Sequence, residues 1–259
     1  MLIDTHAHLY ANQFKNDTDA MMQRAFDAGI ETVFLPAIDS ETHEQMLAFE
    51  KKFSKNSHAM MGVHPCSISS DYEKELKIIE DYLAQRKFCA IGEIGIDLFW
   101  DKTFLEQQRT AFIQQMHYAE DLKIPIVIHS RESMDVVLDI LSENKWYTQG
   151  GILHCFTGNF EQAQRTIDLG FYLGIGGVLT YKNSGLDAVV EKIALNYLVL
   201  ETDAPYLAPV PFRGKRNETS YVRFVAQKIA EIKNLSVDEV ARVTTQNALS
   251  IFKIEKFLD

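Results

Sequence analysis

Residues 1–10, "MLIDTHAHLY", set a short apolar step against polar residues and place His6 and His8 two apart. Alternate residues of a strand share a face. A strand over Leu2–Asp4 therefore starts Leu2, Asp4, His6 and His8 on one side, where two imidazoles can converge on one cation. Two packed or solvated histidines would produce the same letters. The stretch gains meaning only from what the rest of the chain repeats.

Short apolar runs recur at 2–4, 32–36, 59–63, 89–94, 124–129, 151–155, 171–175 and 197–201. Helical spacing fills gaps between them, as at 17–28, 41–53, 72–86, 104–122, 133–142 and 160–169. About eight strand–helix units predict parallel strands joined by crossover helices. In 259 residues they predict an α/β fold, a (β/α)8 TIM barrel forming a single domain over 1–259. An open doubly wound sheet is the other architecture with this alternation. Two more helices are expected at 219–234 and 236–252, the second with Ser236 and Glu239 in capping-box spacing. The longest irregular stretch, 204–219, is rich in proline and charge.

Composition narrows the class. A hydrophobic fraction of 46% supplies a large core. No apolar run approaches the roughly 20 residues that span a membrane. Polar residues interrupt the start before a signal peptide could form, so a cytoplasmic protein without membrane partners is expected. Cys66, Cys89 and Cys155 are odd in number and widely spaced, as reduced thiols are. A net charge of −10 argues against bulk attraction to long duplex nucleic acid. "RGKR" at 213–216 is the local exception, either a phosphate contact or a tie between the long loop and an acidic surface.

The apolar runs end in polar residues. The fourth, "IGEIGID", carries Glu93; the fifth, "PIVIHSRES", carries His129; the sixth, "GILHCF", carries His154; the eighth, "LVLETDAP", carries Glu201 and Asp203. Each alone reads as a satisfied core group. In a barrel, however, these strand ends share one rim, where catalytic groups gather. His6, His8, Glu93, His129, His154 and Asp203 together suit Zn²⁺, Mn²⁺ or Fe²⁺ better than Ca²⁺. They are too many for one open tetrahedral site. They suit two cations about 3.5–4 Å apart, bridged by a carboxylate. Glu201 shares strand parity with Asp203 and is expected to orient a ligand from behind; Asp4 could do the same or simply brace the backbone. Cys155 should face the helices, away from His154.

These residues resemble the TatD family, metal-dependent deoxyribonucleases of the amidohydrolase superfamily. "LIDTHAHL", "PIVIHSRESMD" and "YLVLETDAPYL" resemble its three signatures. "GVHP", "GEIGID", "HCFTG" and "RGKRNE" match motifs between them, and the likeness runs from Leu2 to "NALSIF". Tyr10 stands where the family usually has Asp or Asn, Ser133 where it has Thr or Ala, and Thr219 where it often has Pro. The resemblance implies that His6 and His8 hold one metal and His129 and His154 another. Glu93 would bridge them, in place of the carbamylated lysine of many superfamily relatives. Asp203 would touch a metal and the attacking water, so Glu93 and Asp203 are the catalytic pair. The cofactors implied are two divalent ions (zinc, manganese or magnesium).

Two-metal chemistry on a phosphodiester also needs groups that hold phosphate oxygens. His64 in "GVHPC" and Arg131, two residues past His129, are placed to do so. The alternatives are a loop histidine beside Pro65 and a surface ion pair of Arg131 with Glu132 or Asp135. The basic residues form no long stripe, and a barrel rim offers a compact pit suited to one strand end. The expected activity is therefore exonucleolytic cleavage of single-stranded DNA ends. The 3′ to 5′ polarity is implied by the resemblance alone. An amide or lactone hydrolase of the same superfamily and a noncatalytic metal-binding scaffold remain as alternatives. The oligomeric state is open, and a monomer is compatible with the chain.

Overall fold

The computed structural model describes residues 1–254; the last five positions of the span 1–259 lie outside the described residues. Among the described residues eight strands run in chain order: β1 (Leu2–Asp4), β2 (Ile30–Leu35), β3 (Ser57–Ala59), β4 (Ile91–Asp97), β5 (Ile126–Arg131), β6 (Gly151–Leu153), β7 (Phe171–Ile175) and β8 (Leu198–Leu200). The helices are α1 (Thr18–Asp27), α2 (His43–Lys52), α3 (Tyr72–Gln85), α4 (Leu105–Leu122), α5 (Met134–Glu143), α6 (Phe160–Asp168), α7 (Leu186–Lys192), α8 (Val222–Lys233) and α9 (Val237–Phe252). The short helix α7 was not among the expected ones.

The strands pair in parallel, β1 to β3 in one group and β4 to β8 in the other. Two seams join the groups. At one, Met61 bridges Ile91. At the other, Thr5 N donates to Leu200 O at 2.9 Å, Asp203 N to His6 O at 2.9 Å and His8 N to Ala204 O at 2.7 Å. The sheet thus closes into the (β/α)8 barrel, which rules out the open doubly wound sheet.

Strands buried on both faces read as continuous apolar runs, and the two faces here meet different partners. Ile3, Phe34, Met60, Val127, Ile152 and Val199 cluster with Ala248, Leu249, Ile251 and Phe252 of α9, which plugs one end of the barrel. The Phe34 and Phe252 rings stack 3.7 Å apart, worth about 0.5–1.5 kcal/mol beyond the area they bury. Leu2, Val33, Leu35, Ile126, Ile128 and Leu153 pack instead with the surrounding helices. Ile3, not Leu2, therefore shares the barrel interior. His6 and His8 reach it because β1 ends at Asp4 and the strand parity ends with it.

One local expectation is corrected, and one pair of alternatives is decided. Ser236 accepts from Glu239 N at 3.1 Å, but the Glu239 carboxylate is taken by Arg242 at 2.9 and 2.8 Å, so only half of the capping box forms. The complete box belongs to α6, between Asn159 and Gln162. The "RGKRNE" segment ties the long loop down. Arg216 meets both Asp17 oxygens at 2.7 Å, Glu218 receives Arg24, and Asn217 Nδ2 donates to Thr202 O and Tyr206 O at 2.8 and 2.7 Å. Among the described residues no helix is long and apolar enough to cross a membrane.

Candidate metal centre

The seam between the first and last strands sets one half of the site. Its ladder continues past β1 and β8 and fixes His6 and His8 opposite Asp203, whose backbone is left-handed at φ 56°. Asp4 braces this seam from behind. It is fully buried and accepts from His6 N, Thr202 N, Thr202 Oγ1 and Thr219 Oγ1. Burial pushes its carboxyl up to about 7 in spite of these donors. The hydroxyl of Thr219 supplies a bond at 2.6 Å that a proline there could not make.

β4 supplies the centre. Its register against β5 shifts between Ile91 and Ile94. Glu93 lies within the shift and Asp97 beyond it, with Gly95 between them, and both carboxylates meet His129. Gly95 sits at φ 139°, and any Cβ there would run into the His129 carbonyl. The Glu93 carboxylate is 2% exposed and divides its two oxygens. Oε2 lies 3.1 Å from His6 Nε2 and 3.4 Å from His8 Nε2. These two nitrogens are also 3.7 and 3.5 Å from Asp203 Oδ1. Oε1 lies 2.7 Å from His154 Nε2, 2.8 Å from His129 Nδ1 and 3.4 Å from His64 Nε2. The other five expected ligand residues therefore converge around the Glu93 carboxylate, His6, His8 and Asp203 toward Oε2 and His129 and His154 toward Oε1.

What stands behind each imidazole decides which nitrogen faces inward. Tyr10 donates its hydroxyl hydrogen to Pro36 O at 2.6 Å and so accepts from His8 Nδ1 at 3.1 Å. The His8 Nε2 lone pair is thereby free to face a cation. His129 has Asp97 Oδ2 at 2.8 Å from Nε2, which turns Nδ1 toward Glu93. His154 Nδ1 sits 3.5 Å from Glu201 Oε1, an ion-pair distance without a formed hydrogen bond. Glu201 is held there by Cys155 N at 2.6 Å, and a Cβ at Gly174 would strike its other oxygen. His6 Nδ1 is buried with no hydrogen-bond partner among the described residues.

Charge follows the same division. Burial opposes protonation of His8, His129 and His154, yet the carboxylates beside them prevail. His8 is pushed up to about 9 by Asp203 and Glu93, His129 is raised by Asp97 and Glu93, and His154 is raised well above the usual range by Glu93 and Glu201. Burial would raise Glu93, but the surrounding imidazoles hold it well below the usual carboxylate range. Asp203 is likewise held down by His8 against the effect of burial. Burial, with the nearby His154, lowers His6. The donor set fits divalent cations. Three sets of inward atoms each lie within 4.8 Å of one another, His6 with His8 and Asp203, His6 with Glu93 and His154, and His64 with Glu93 and His129, and a cation would take over the charge that protons carry in its absence.

His64 is different in kind. Its Nδ1 accepts from Cys66 N at 3.0 Å, so Nε2 carries the hydrogen and offers a donor to the site. Burial lowers its pKa. Arg131 forms no ion pair with Glu132 or Asp135 among the described residues; Asp135 pairs with Arg165 instead. The Arg131 guanidinium lies 3.7 Å from the Phe99 ring centroid. Cys155 is not simply packed against helices. β6 ends at Leu153, the backbone at Cys155 turns left-handed at φ 46°, and burial together with the Asp203, Glu201 and Glu93 charges raises its thiol. Asp97 was missed by the sequence reading. Its signal was the parity of "EIGID", which sets it on the face of Glu93.

The model of TatD related DNases matches residues 3–253. The chain is 39% identical to the metal-dependent hydrolase YabD of Bacillus subtilis over 98% of this chain and all of that one. It is 30% identical to the 3'-5' ssDNA/RNA exonuclease TatD of Shigella flexneri, over 98% of this chain and 99% of the other. The crystal structure of YjjV, a TatD homologue from Escherichia coli, superposes with a TM-score of 0.92 at 31% identity, covering 98% of both chains. This chain belongs to the TatD related DNase family and is a metal-dependent hydrolase on a (β/α)8 barrel.

Proposed function

We propose that this hydrolase cleaves phosphodiester bonds of DNA and removes nucleotides from the 3′ ends of single strands, using two divalent cations. The observation that carries the reading is the Glu93 carboxylate, one oxygen toward His6 and His8 and the other toward His129 and His154. A carboxylate so divided suits a pair of cations better than one. Kinship with the Shigella exonuclease supports the substrate and the polarity.

Bound there, Zn²⁺, Mn²⁺ or Mg²⁺ would lower the pKa of water toward about 7 and neutralise phosphate charge. The chain's own residues do the rest. Asp203 is 14% exposed, so its carboxylate reaches solvent while staying ionised, and it accepts the proton of the attacking water at Oδ1. The Nε2 hydrogen of His64 and the guanidinium edge of Arg131 hold phosphate oxygens. Glu201 and Asp97 keep His154 and His129 turned toward Glu93.

The test pairs metal analysis with cleavage of end-labelled linear and circular single-stranded DNA of one sequence. Loss of nucleotides from the linear 3′ end alone is expected. Equal cutting of the circle would remove the need for a free end. Turnover of amides or lactones in place of phosphodiesters would favour the other hydrolase chemistry. Arg131→Ala should raise KM several-fold, about what one charged phosphate contact contributes, with metal content unchanged; unaltered KM would take Arg131 out of the site.

A further inference from the structure

The turn after β4 leaves two aromatic side chains in water at the edge of the site. Trp100 is 70% exposed and Phe99 45%. Single exposed aromatics are ordinary on protein surfaces. What distinguishes this pair is how it is anchored. The backbone N–H groups of Phe99 and Trp100 both donate to Asp97 Oδ1, at 2.9 and 3.2 Å. The other oxygen of the same carboxylate lies 2.8 Å from His129 Nε2. One side chain thus latches the aromatic turn to a residue of the metal centre.

The rings are fixed relative to each other and to a cation. Phe99 and Trp100 meet edge to face with centroids 4.8 Å apart. The Arg131 guanidinium lies 3.7 Å from the Phe99 centroid and 5.3 Å from that of Trp100. Stacking occupies the face of a guanidinium and leaves the N–H groups at its edge free for a phosphate. Arg131 lies two residues beyond His129 on β5, at the end of the strand that carries that histidine into the cluster. The chain's other tryptophan is already engaged: Trp146 stacks flat on His117, with centroids 4.0 Å apart.

We propose that Phe99, Trp100 and Arg131 form a nucleobase subsite. Trp100 stacks on a base of the single strand while Arg131 holds the adjoining phosphate. The subsite rests on the phosphodiesterase reading above. It tolerates any base, because every base offers a π face. It also accounts for strand selectivity, since a base paired within a duplex has no free face to offer.

The test uses a single-stranded DNA oligonucleotide and a matched one whose 3′-terminal residues are abasic, with identical phosphates. The wild-type enzyme should show a KM about tenfold lower for the strand that carries bases, with similar kcat. Trp100→Ala should raise that KM to the abasic level and leave the abasic KM where it was. Trp100→Phe should recover most of the loss, and Trp146→Ala should change neither value. Equal KM for the two strands in the wild type, or an equal rise for both in Trp100→Ala, would overturn the subsite. If neither strand is cut, the phosphodiesterase reading fails, and binding decides the subsite separately. In a Trp146→Phe background the remaining tryptophan fluorescence comes from Trp100. Quenching by the base-bearing strand alone would sustain stacking, and no quenching, or equal quenching by both strands, would refute it.

Discussion

The two sides of the Glu93 carboxylate are built differently. On the Oε1 side, His129 and His154 each have a second carboxylate behind them, Asp97 and Glu201. On the Oε2 side, His8 is backed by the neutral hydroxyl of Tyr10, and His6 Nδ1 has no partner among the described residues. The difference shows where two of the rings meet. His6 and His154 stack face to face with centroids 3.8 Å apart; the second has its pKa raised and the first lowered. A carboxylate behind an imidazole raises its basicity as a ligand. As ligands, stacked histidines of similar geometry would be unequal through what lies behind them, and on the two-cation proposal the Oε1 side should hold its cation more tightly.

The largest effect should come from Glu93→Ala, which removes what the sides share. At least one cation should be lost and turnover should fall by about 10³-fold or more, several kcal/mol of lost charge stabilisation. Metal analysis is the check; two equivalents retained per chain would take the bridge away. Asp203→Asn tests the base on the Oε2 side. The amide is nearly isosteric but cannot take up the proton, so turnover should fall about 10²- to 10⁴-fold while the fold and much of the metal remain. Near-normal turnover would place the base elsewhere.

The asymmetry itself is tested by a pair of quieter substitutions. Asp97→Asn should weaken metal binding on its side about 10- to 100-fold. Tyr10→Phe removes only a neutral acceptor and should cost less, a few-fold at the other site. Titration calorimetry of both variants would resolve the two sites, and a larger loss in Tyr10→Phe would reverse the ranking.

The smallest effect is a pH dependence of the metal-free protein. The His8 pKa is raised from 6.5 to about 9, and His129 and His154 shift the same way. A raised imidazole pKa stabilises the fold fully below the unfolded value and stops doing so as pH rises through the folded one. The melting temperature of chelator-treated protein should therefore decline between about pH 6.5 and 9. Apparent metal affinity should climb over the same interval, because a cation must displace those protons. A melting temperature that rises with pH there would mean that the imidazoles are neutral without metal.

The barrel is legible in the sequence because strands buried on both faces are written as unbroken apolar runs. The candidate cluster is legible because a histidine or carboxylate at the end of such a run stands out, and the closed barrel brings those residues together. Legibility fails where the backbone departs from strand geometry. The fourth strand reads as ending at 94, whereas it runs to Asp97 and carries the carboxylate behind His129. Cys155 is misplaced because parity was extended past the end of β6 into a left-handed turn. The role of Tyr10 depends on a carbonyl at Pro36, a contact that spacing along the chain cannot encode. Helix α7 has only seven residues, too few to build a clear periodicity.

The seam that closes the barrel has a consequence for biosynthesis. Thr5 and Leu200, 195 positions apart, are hydrogen-bonded partners in it, and Asp203 lies just beyond. A growing chain exposes both leading histidines long before the residues that face them have been made. Contacts of such long sequence separation form late, because a long loop must close first. Until residue 203 has been made and the loop has closed, His6 and His8 lack the carboxylate that faces them in the folded barrel. The cluster of histidines and carboxylates is assembled only when the first and last strands of the barrel meet.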